Sequence, residues 1–598
     1  MKKALLKSVS VILALSMILT ICVTGASASN AAAELTQTTW TRLGSTLLGG
    51  IIQGLLTGLN LIFPDSKSFI DKEDYKSENF YEGTGSMLDE PAANAQWKLG
   101  YANTSLVPDD WQEHTYYLGG YIVIENGFVN NVEGVIDDME ARIIAIEDGS
   151  GRGISLFCTI DSIGMTNGDI KNIRKALVEK AAGKYDFASV NVFCTHAHSG
   201  IDTEGLWTNL LPKVLKNIPK SLTRIGKLDQ GTDPHYMEFL TNQVSDAMLA
   251  ACDAMEPGTM TKSTKQISPE YFSNKNRRYS TSDMQEMTKL EFTPDNAEST
   301  PTMIVNIAAH PDVAGLPTED NSGREVCGEY VYYMGETLAN YGYNCMFFNG
   351  AIAGIYMGRG RTNNSQDMDA RYEQSMRYGV EMAKVALSLN KTPDEIMADT
   401  KLYDAELIAK EKAIAEKNGG TYRLWFDETW TPVEAVPVDP ILNVKIKEVF
   451  IPVTNPFIQL AGKLNLANYA VLKAGFKKYE IGVEIGYLEF GKQLKVVMMP
   501  GEICQDLISG GASLTAENSY SGKAFQYPCI REMFNDESII CFGLANDAIG
   551  YVVPDTDYCM AIAFDHYQEL ISLGKYAAST IMAGFTEIAQ EVNDGVIR

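Results

Sequence analysis

Two of the chain's six histidines stand one residue apart in Thr195-His196-Ala197-His198-Ser199-Gly200, directly after the apolar run FASVNVFC at Phe187–Cys194. That run is rich in β-branched and aromatic residues and reads as a buried strand. Alternate strand positions share a face, roughly 7 Å apart. Two imidazoles leaving one strand end can therefore supply a metal ligand with a proton-transfer group beside it. A pair of hydrogen-bonded loop histidines is the plain alternative at this point.

Other reactive groups also follow apolar runs. His310 comes after MIVNIA at 303–308, and Glu502 lies in Pro500-Gly501-Glu502 after a predicted hairpin of 480–490 and 493–499. Tyr551 follows the apolar run 539–544. Polar residues placed just beyond strands are where α/β enzymes gather their active groups. Two or three neutral imidazoles with a carboxylate are ordinary ligands for Zn2+, and an open position would hold a water whose pKa falls to about 7.

The elements that must position these groups alternate along the chain. Strands are expected at 141–146, 154–160, 187–194, 303–308 and 345–348, and helices at 169–182 and 236–255. The pattern predicts a mixed α/β fold, β-sheets flanked by helices, with the zinc site at strand ends. Residues 391–440 differ, carrying the charged segment DAELIAKEKAIAEKN and then a Pro- and Trp-containing connection, and read as an excursion.

The first 28 residues have a basic start, an apolar stretch from Val9 to Val23 and Ala26-Ser27-Ala28, the pattern of a secretory signal peptide. Cys22 follows the bulky Ile21, which favours release over lipidation. Residues 29–64 form an apolar N-terminal segment, in which 43–63 carries no charge. Its length suits a bilayer span, but its glycines and polar residues also suit a helix on a membrane surface, a cap over an apolar cleft, or plain core. A net charge of −26 excludes a nucleic-acid partner or a polybasic anchor. Nine cysteines beyond the signal segment show no CxxC pair; one or two disulfides are possible, with a thiol left over.

The ordered motifs resemble the catalytic domain of the neutral/alkaline non-lysosomal ceramidases. The family's T-H-T-H-S-G corresponds to THAHSG, its strand ending in A-T-H to NIAAH at 306–310, and its P-G-E to MPGE at 499–502. GVIDDMEARI at 134–143, LFCTIDSIGM at 156–165, FFNGAIAG at 347–354 and GLANDAIGYVVP at 543–554 match further landmarks in family order. The resemblance implies a catalytic domain over 65–598, zinc ligands His196, His310, Glu502 and Tyr551, and His198 beside the metal handling protons or the developing oxyanion. It implies an arginine at the reaction centre, with Asn276-Arg277 as candidate beside a second arginine, Arg278. It also implies hydrolysis of the amide of an N-acyl lipid, ceramide first, by a secreted enzyme with possible contact to a membrane surface. An apolar channel for the acyl chain would be walled by 43–63 or by 457–474.

The chain departs from the family in several places. Ile136 stands where the family has a histidine, Ser199-Gly200-Ile201-Asp202 replaces S-G-P-G-G, and Ala563-Phe564-Asp565 stands where a second active-site tyrosine belongs. Tyr558 and Tyr567 lie nearby. The residues after Tyr551 are too few for the family's C-terminal immunoglobulin-like domain. The metallo-β-lactamase pattern H-x-H-x-D-H is not met, because Gly200 and Ile201 occupy its last two positions. A secreted, non-catalytic lipid-binding protein on the same fold is the competing reading. His114, His235 and His566 read as surface or packing residues, and Asp161 as a support for the site.

Overall fold

A computed structural model of the chain describes residues 39–121, 130–207, 210–274, 284–314, 323–358, 368–417, 421–560 and 568–595. The expected signal segment and Arg277 lie outside them. The elements carrying the argument are, in chain order, α1 (Thr39–Ile62), β1 (Trp97–Ser105), β2 (Glu140–Glu147), β3 (Ile154–Ile160), α2 (Asn167–Ala181), β4 (Phe187–Cys194), α3 (Leu210–Thr223) and α4 (Pro234–Asp253). They continue with β5 (Glu256–Gln266), β6 (Glu286–Pro294), β7 (Thr302–Ile307), α5 (Glu329–Asn340), β8 (Asn344–Asn349), α6 (Met368–Ser388), β9 (Leu442–Pro452) and α7 (Pro456–Lys463). The last are β10 (Val471–Gly475), β11 (Lys478–Phe490), β12 (Leu494–Met498), β13 (Glu502–Ile503), β14 (Ile540–Phe542), β15 (Tyr551–Val552) and α8 (Ala577–Asn593).

The larger sheet runs β8-β7-β6-β5-β1-β2-β3-β4. Only its two ends are parallel pairs, β3 with β4 and β7 with β8. The smaller sheet is built on β11, flanked by β10, β9 and β12, with β14 parallel to β12 at its edge. The two sheets stack face to face, Phe193 and Phe348 of the first meeting Phe542 of the second, with Phe348 and Phe542 stacked at 4.1 Å. Helices α2 and α4 cover one part of the larger sheet's outer face, α5 and α6 another, and α8 covers the smaller sheet.

This layering explains why the strands read as unbroken apolar runs. On β2, Ile143 and Ala145 face the helices while Ile144 and Ile146 face the second sheet. Both faces of β2, β3, β4 and β7 are buried, so both sets of alternate positions there are mostly apolar. The mixed α/β fold with flanking helices is the expected one.

Polar ties cross the layers. Arg174 on α2 makes a bidentate pair with Glu484 on β11, at 2.8 and 2.7 Å, and its Nε donates to the Val190 carbonyl. Both side chains are fully buried. The arginine fork and the planar carboxylate satisfy one another's hydrogen-bonding groups, the condition on which a buried charge is tolerated.

Two expectations change. Helix α1 does form over the apolar N-terminal segment, but no helix among the described residues is long and apolar enough to cross a membrane. Its inner residues Ile52, Leu56 and Leu59, with Phe63 just after it, pack instead against α3 and α7. The nine described cysteines are all buried and unbridged, so the room for disulfides is not used. In the excursion, Leu402, Trp425 and Phe426 bury themselves against α6, and Val436–Pro437 adds a short strand to β5.

Candidate metal centre

The site forms from residues that follow β3, β4, β7, β8, β12 and β14 in the chain. β4 delivers His196 two residues beyond its end, and β7 delivers His310 three beyond. Asn349, the last residue of β8, braces both: its side-chain amide donates to the carbonyls of Thr195 (2.9 Å) and Ala309 (3.2 Å). A backbone bond from His198 N–H to the Pro311 carbonyl, 3.0 Å, ties the two histidine loops together. His196 itself sits at φ +70°, the left-handed region that costs a non-glycine residue energy and persists only where the surroundings impose it.

Glu502 and Tyr551 arrive together because β13 and β15 pair in parallel with those two residues in register. Each is preceded by a glycine with positive φ. A Cβ on Gly501 would lie 2.4 Å from the Gly550 carbonyl oxygen, and one on Gly550 only 1.6 Å from that of Ile571. Glycine is the residue that both the dihedral and the space permit.

The ring orientations define what the cluster can hold. His196 Nδ1 lies 2.6 Å from the Ile163 carbonyl and His310 Nδ1 lies 2.7 Å from that of Ile355. A carbonyl only accepts, so each Nδ1 carries its proton and each Nε2 presents a lone pair. Both Nε2 atoms face one carboxylate oxygen, Glu502 Oε2, at 3.5 Å for His196 and 2.9 Å for His310. One added proton can satisfy one of these contacts and no more. Burial pushes the His196 pKa down to about 4, so this imidazole stays neutral and its lone pair is left facing an anion. A divalent cation between these groups resolves the conflict, and the donor set fits one.

Glu502 is itself held ionised. Burial opposes its charge, but the two imidazoles, when protonated, and the hydroxyl of Tyr551, which donates to it, bring its pKa below the ordinary carboxylate value. The structure thus places all four sequence-predicted ligands at one point, each nine-tenths or more buried. His198 is the fifth group. Its ring centroid is 4.8 Å from that of His196 and 6.0 Å from that of His310, and it packs against Tyr121 at 4.7 Å. The potential ligand atoms of His196, His198 and His310 all lie within 4.8 Å of one another, so His198 borders the same small volume but is only half-buried.

Two solved structures share this architecture. The crystal structure of neutral ceramidase from Pseudomonas aeruginosa aligns with a TM-score of 0.54 at 13% identity, covering 84% of this chain and 75% of that one. The chain has a neutral-ceramidase-like fold. A ceramidase complexed with C2 gives a TM-score of 0.53 at 13% identity, covering 84% of this chain and 76% of that one. No protein-family model matches the sequence. No curated protein matches it either.

On this ceramidase-like fold the remaining expectations sort clearly. Asp161 accepts from Arg142 Nη1 with both oxygens, at 2.9 and 3.0 Å, and from the Glu140 N–H, fixing the turn that carries Ser162 and Ile163 behind His196. His114 and His235 are exposed and pair with Asp233 and Asp110, away from the cluster. Arg277 and His566 lie outside the described residues, as do Tyr567 and Ala563-Phe564-Asp565. Tyr558 is described, with its hydroxyl 3.5 Å from the Glu569 carbonyl.

Sequence reasoning missed Glu204. Its carboxylate lies directly against Gly164, where a Cβ would come within 2.4 Å of its Oε1, and Gly164 adjoins the Ile163 carbonyl that holds His196. Trp207 Nε1 donates to its Oε2 at 2.7 Å. Burial, reinforced by the charges of Asp202 and Glu502, pushes its pKa up to about 8. At neutral pH it is a protonated acid. The SGID departure from the family pattern runs straight into it and was the available signal.

This has a testable consequence for stability. A carboxyl whose folded-state pKa is raised contributes stability that is complete below its unfolded pKa and is lost as pH rises towards 8. Glu204→Gln keeps the tryptophan bond and removes the titration. The variant is expected to gain about 2–4 kcal/mol over wild type between pH 4.5 and 8, because each tenfold difference in proton affinity between the folded and unfolded states is worth ~1.4 kcal/mol. Urea unfolding across that range measures it, and parallel pH profiles for the two proteins would contradict the assignment.

Trp207 also lines an apolar pocket. Its other walls include Leu210 and Val214 of α3, Phe457, Leu460 and Leu464 in and just after α7, and Ile571. Ile571 packs in turn against Tyr551 and Val553. Two of the pocket's walls thus lead toward the cluster, Trp207 through its bond to Glu204 and Ile571 through its packing on Tyr551. Of the two segments expected to wall an acyl channel, 457–474 contributes Phe457, Leu460, Ala461, Leu464 and Leu466 to this lining, and 43–63 packs against Leu210, Val214, Leu460 and Leu464.

Proposed function

We propose that the chain is a secreted, zinc-dependent amidohydrolase that cleaves the N-acyl amide bond of ceramide or a related N-acyl lipid to a fatty acid and an amine. The observation that carries the reading is the meeting of two fixed Nε2 lone pairs with a buried carboxylate, beside an apolar pocket, on a fold shared with a neutral ceramidase. His196, His310, Glu502 and Tyr551 would hold the ion. When bound, it supplies Lewis acidity toward the amide carbonyl and a water acidified to near neutrality.

The chain's own residues do the rest. The pocket takes the hydrocarbon tail, which excludes water from the amide and sets its position relative to the cluster. His198, beside the other two imidazoles, receives a proton from the attacking water and returns it to the leaving amine nitrogen.

A panel of N-acyl sphingosines and simpler N-acyl amines of increasing chain length tests the proposal. Release of fatty acid is expected, with kcat/KM rising with acyl length. Leu460→Trp, which fills the pocket, is expected to lower kcat/KM on long chains about tenfold or more while leaving acetyl substrates within about twofold, because each buried CH₂ contributes ~0.8 kcal/mol. A protein that binds zinc and lipid but turns over no N-acyl amide would be the non-catalytic lipid binder, which the missing second tyrosine favours.

A further inference from the structure

Helix α1 has two apolar faces and only one of them is used. Ile52, Leu56, Leu59 and Phe63 close a cluster with Leu210, Val214, Leu460 and Leu464, four of the pocket's lining residues. About 90° round the helix from these, Ile51, Leu55 and Ile62 fall on one stripe at helical spacing, with Leu61 further round, and all four stand exposed. Phe476, 90% exposed, lies in the turn after β10, whose Lys477 reaches the carbonyl of Phe63 beyond the end of α1. Leu215 on α3 and Ile225 just after it, the latter 75% exposed, extend the set. Seven of the thirteen large apolar side chains exposed among the described residues thus belong to this one corner.

Its charge is opposite to the rest of the molecule. From Leu210 to Lys227 the chain carries Lys213, Lys216, Lys220, Arg224 and Lys227 and no acidic residue, within a protein of net charge −26. Asp229 pairs with Lys216 and Lys220, and Arg224 and Lys227 flank the protruding Ile225.

We propose that the roof formed by α1, the end of α3 and the Phe476 turn docks on an anionic lipid bilayer and admits its substrate from there. This rests on the proposed action on N-acyl lipids. Apolar side chains lying in the interface, with cations at their edge, are how a non-spanning helix binds a charged leaflet. Helix α3 lines the pocket on its inner side and α1 packs against the pocket's walls, so a lipid leaving the bilayer at this face enters beside them. A second copy of this chain is the rival occupant, since Gly50, Gly54 and Gly58 leave open space along the helix.

Flotation of the purified protein with phosphatidylcholine vesicles, with and without phosphatidylglycerol, tests the proposal in the absence of substrate. Wild type is expected to float with the anionic vesicles and to be released by salt. The double variant Ile51→Asp/Leu55→Asp, and separately Arg224→Glu/Lys227→Glu, are expected to bind at least about tenfold more weakly. Both are expected to hydrolyse a water-soluble acetyl amide at the wild-type rate, which shows that they are folded. No flotation of wild type, or flotation unaffected in both variants, overturns the docking face, as does a concentration-dependent dimer lost in Ile51→Asp/Leu55→Asp without vesicle binding. Flotation without hydrolysis of any amide would sink the proposed activity and leave the docking face standing.

Discussion

Replacing Glu502 by glutamine is expected to strip the protein of its divalent ion and to lower turnover by about a thousandfold or more, several kcal/mol of lost charge stabilisation. The substitution is nearly isosteric, so the packing around it is kept. It removes the negative charge that both Nε2 lone pairs face at 2.9 and 3.5 Å. Without that charge the remaining donors are two neutral imidazoles and a phenol, a poor match for a divalent ion. The comparison to make is metal content after dialysis alongside kcat/KM for wild type and variant. A Glu502→Gln protein that keeps its ion and its activity would remove the carboxylate from the site.

His198→Ala is expected to behave differently. Its ring neighbours are Tyr121 and the other two imidazoles. If it moves protons rather than holding the ion, the variant keeps its metal and loses about 10²–10⁴ in kcat, with the pH profile of kcat/KM losing the limb that belongs to this group. Loss of the ion in His198→Ala would instead make it a ligand, consistent with its ligand atom lying within 4.8 Å of those of His196 and His310. Metal content separates the two roles where activity alone does not.

Much of this arrangement could be read from local signals. Phe187–Cys194 and Ile154–Ile160 are strands at the expected bounds, because a strand buried on both faces writes a continuous apolar run into the sequence. The strand-end histidines, Pro500-Gly501-Glu502 and Tyr551 stood out because reactive groups and positive-φ glycines follow such runs directly. The braces behind them did not. Asn349 donates to Thr195, more than 150 positions away in the chain, and Arg174 finds Glu484 more than 300 away. Nothing in the neighbourhood of either residue in the sequence encodes those partners. Glu204 was hidden for a related reason. A lone glutamate in a loop ordinarily faces water, and only the fold shows Gly164 and Trp207 closing over it. Helix α1 was ambiguous between span, cap and core because apolar composition without a clear polar face fits all three. Packing against α3 and α7 decides one side of it.

The proposed chemistry requires a single bound ion. X-ray diffraction from crystals of the purified protein, recorded on either side of the zinc absorption edge, locates such an ion without reference to any assay. One anomalous peak among His196 Nε2, His310 Nε2, Glu502 and the Tyr551 hydroxyl, at about 2.0–2.2 Å from each, is the expected result. A protein saturated with zinc that shows no peak there, or a peak elsewhere, would contradict it.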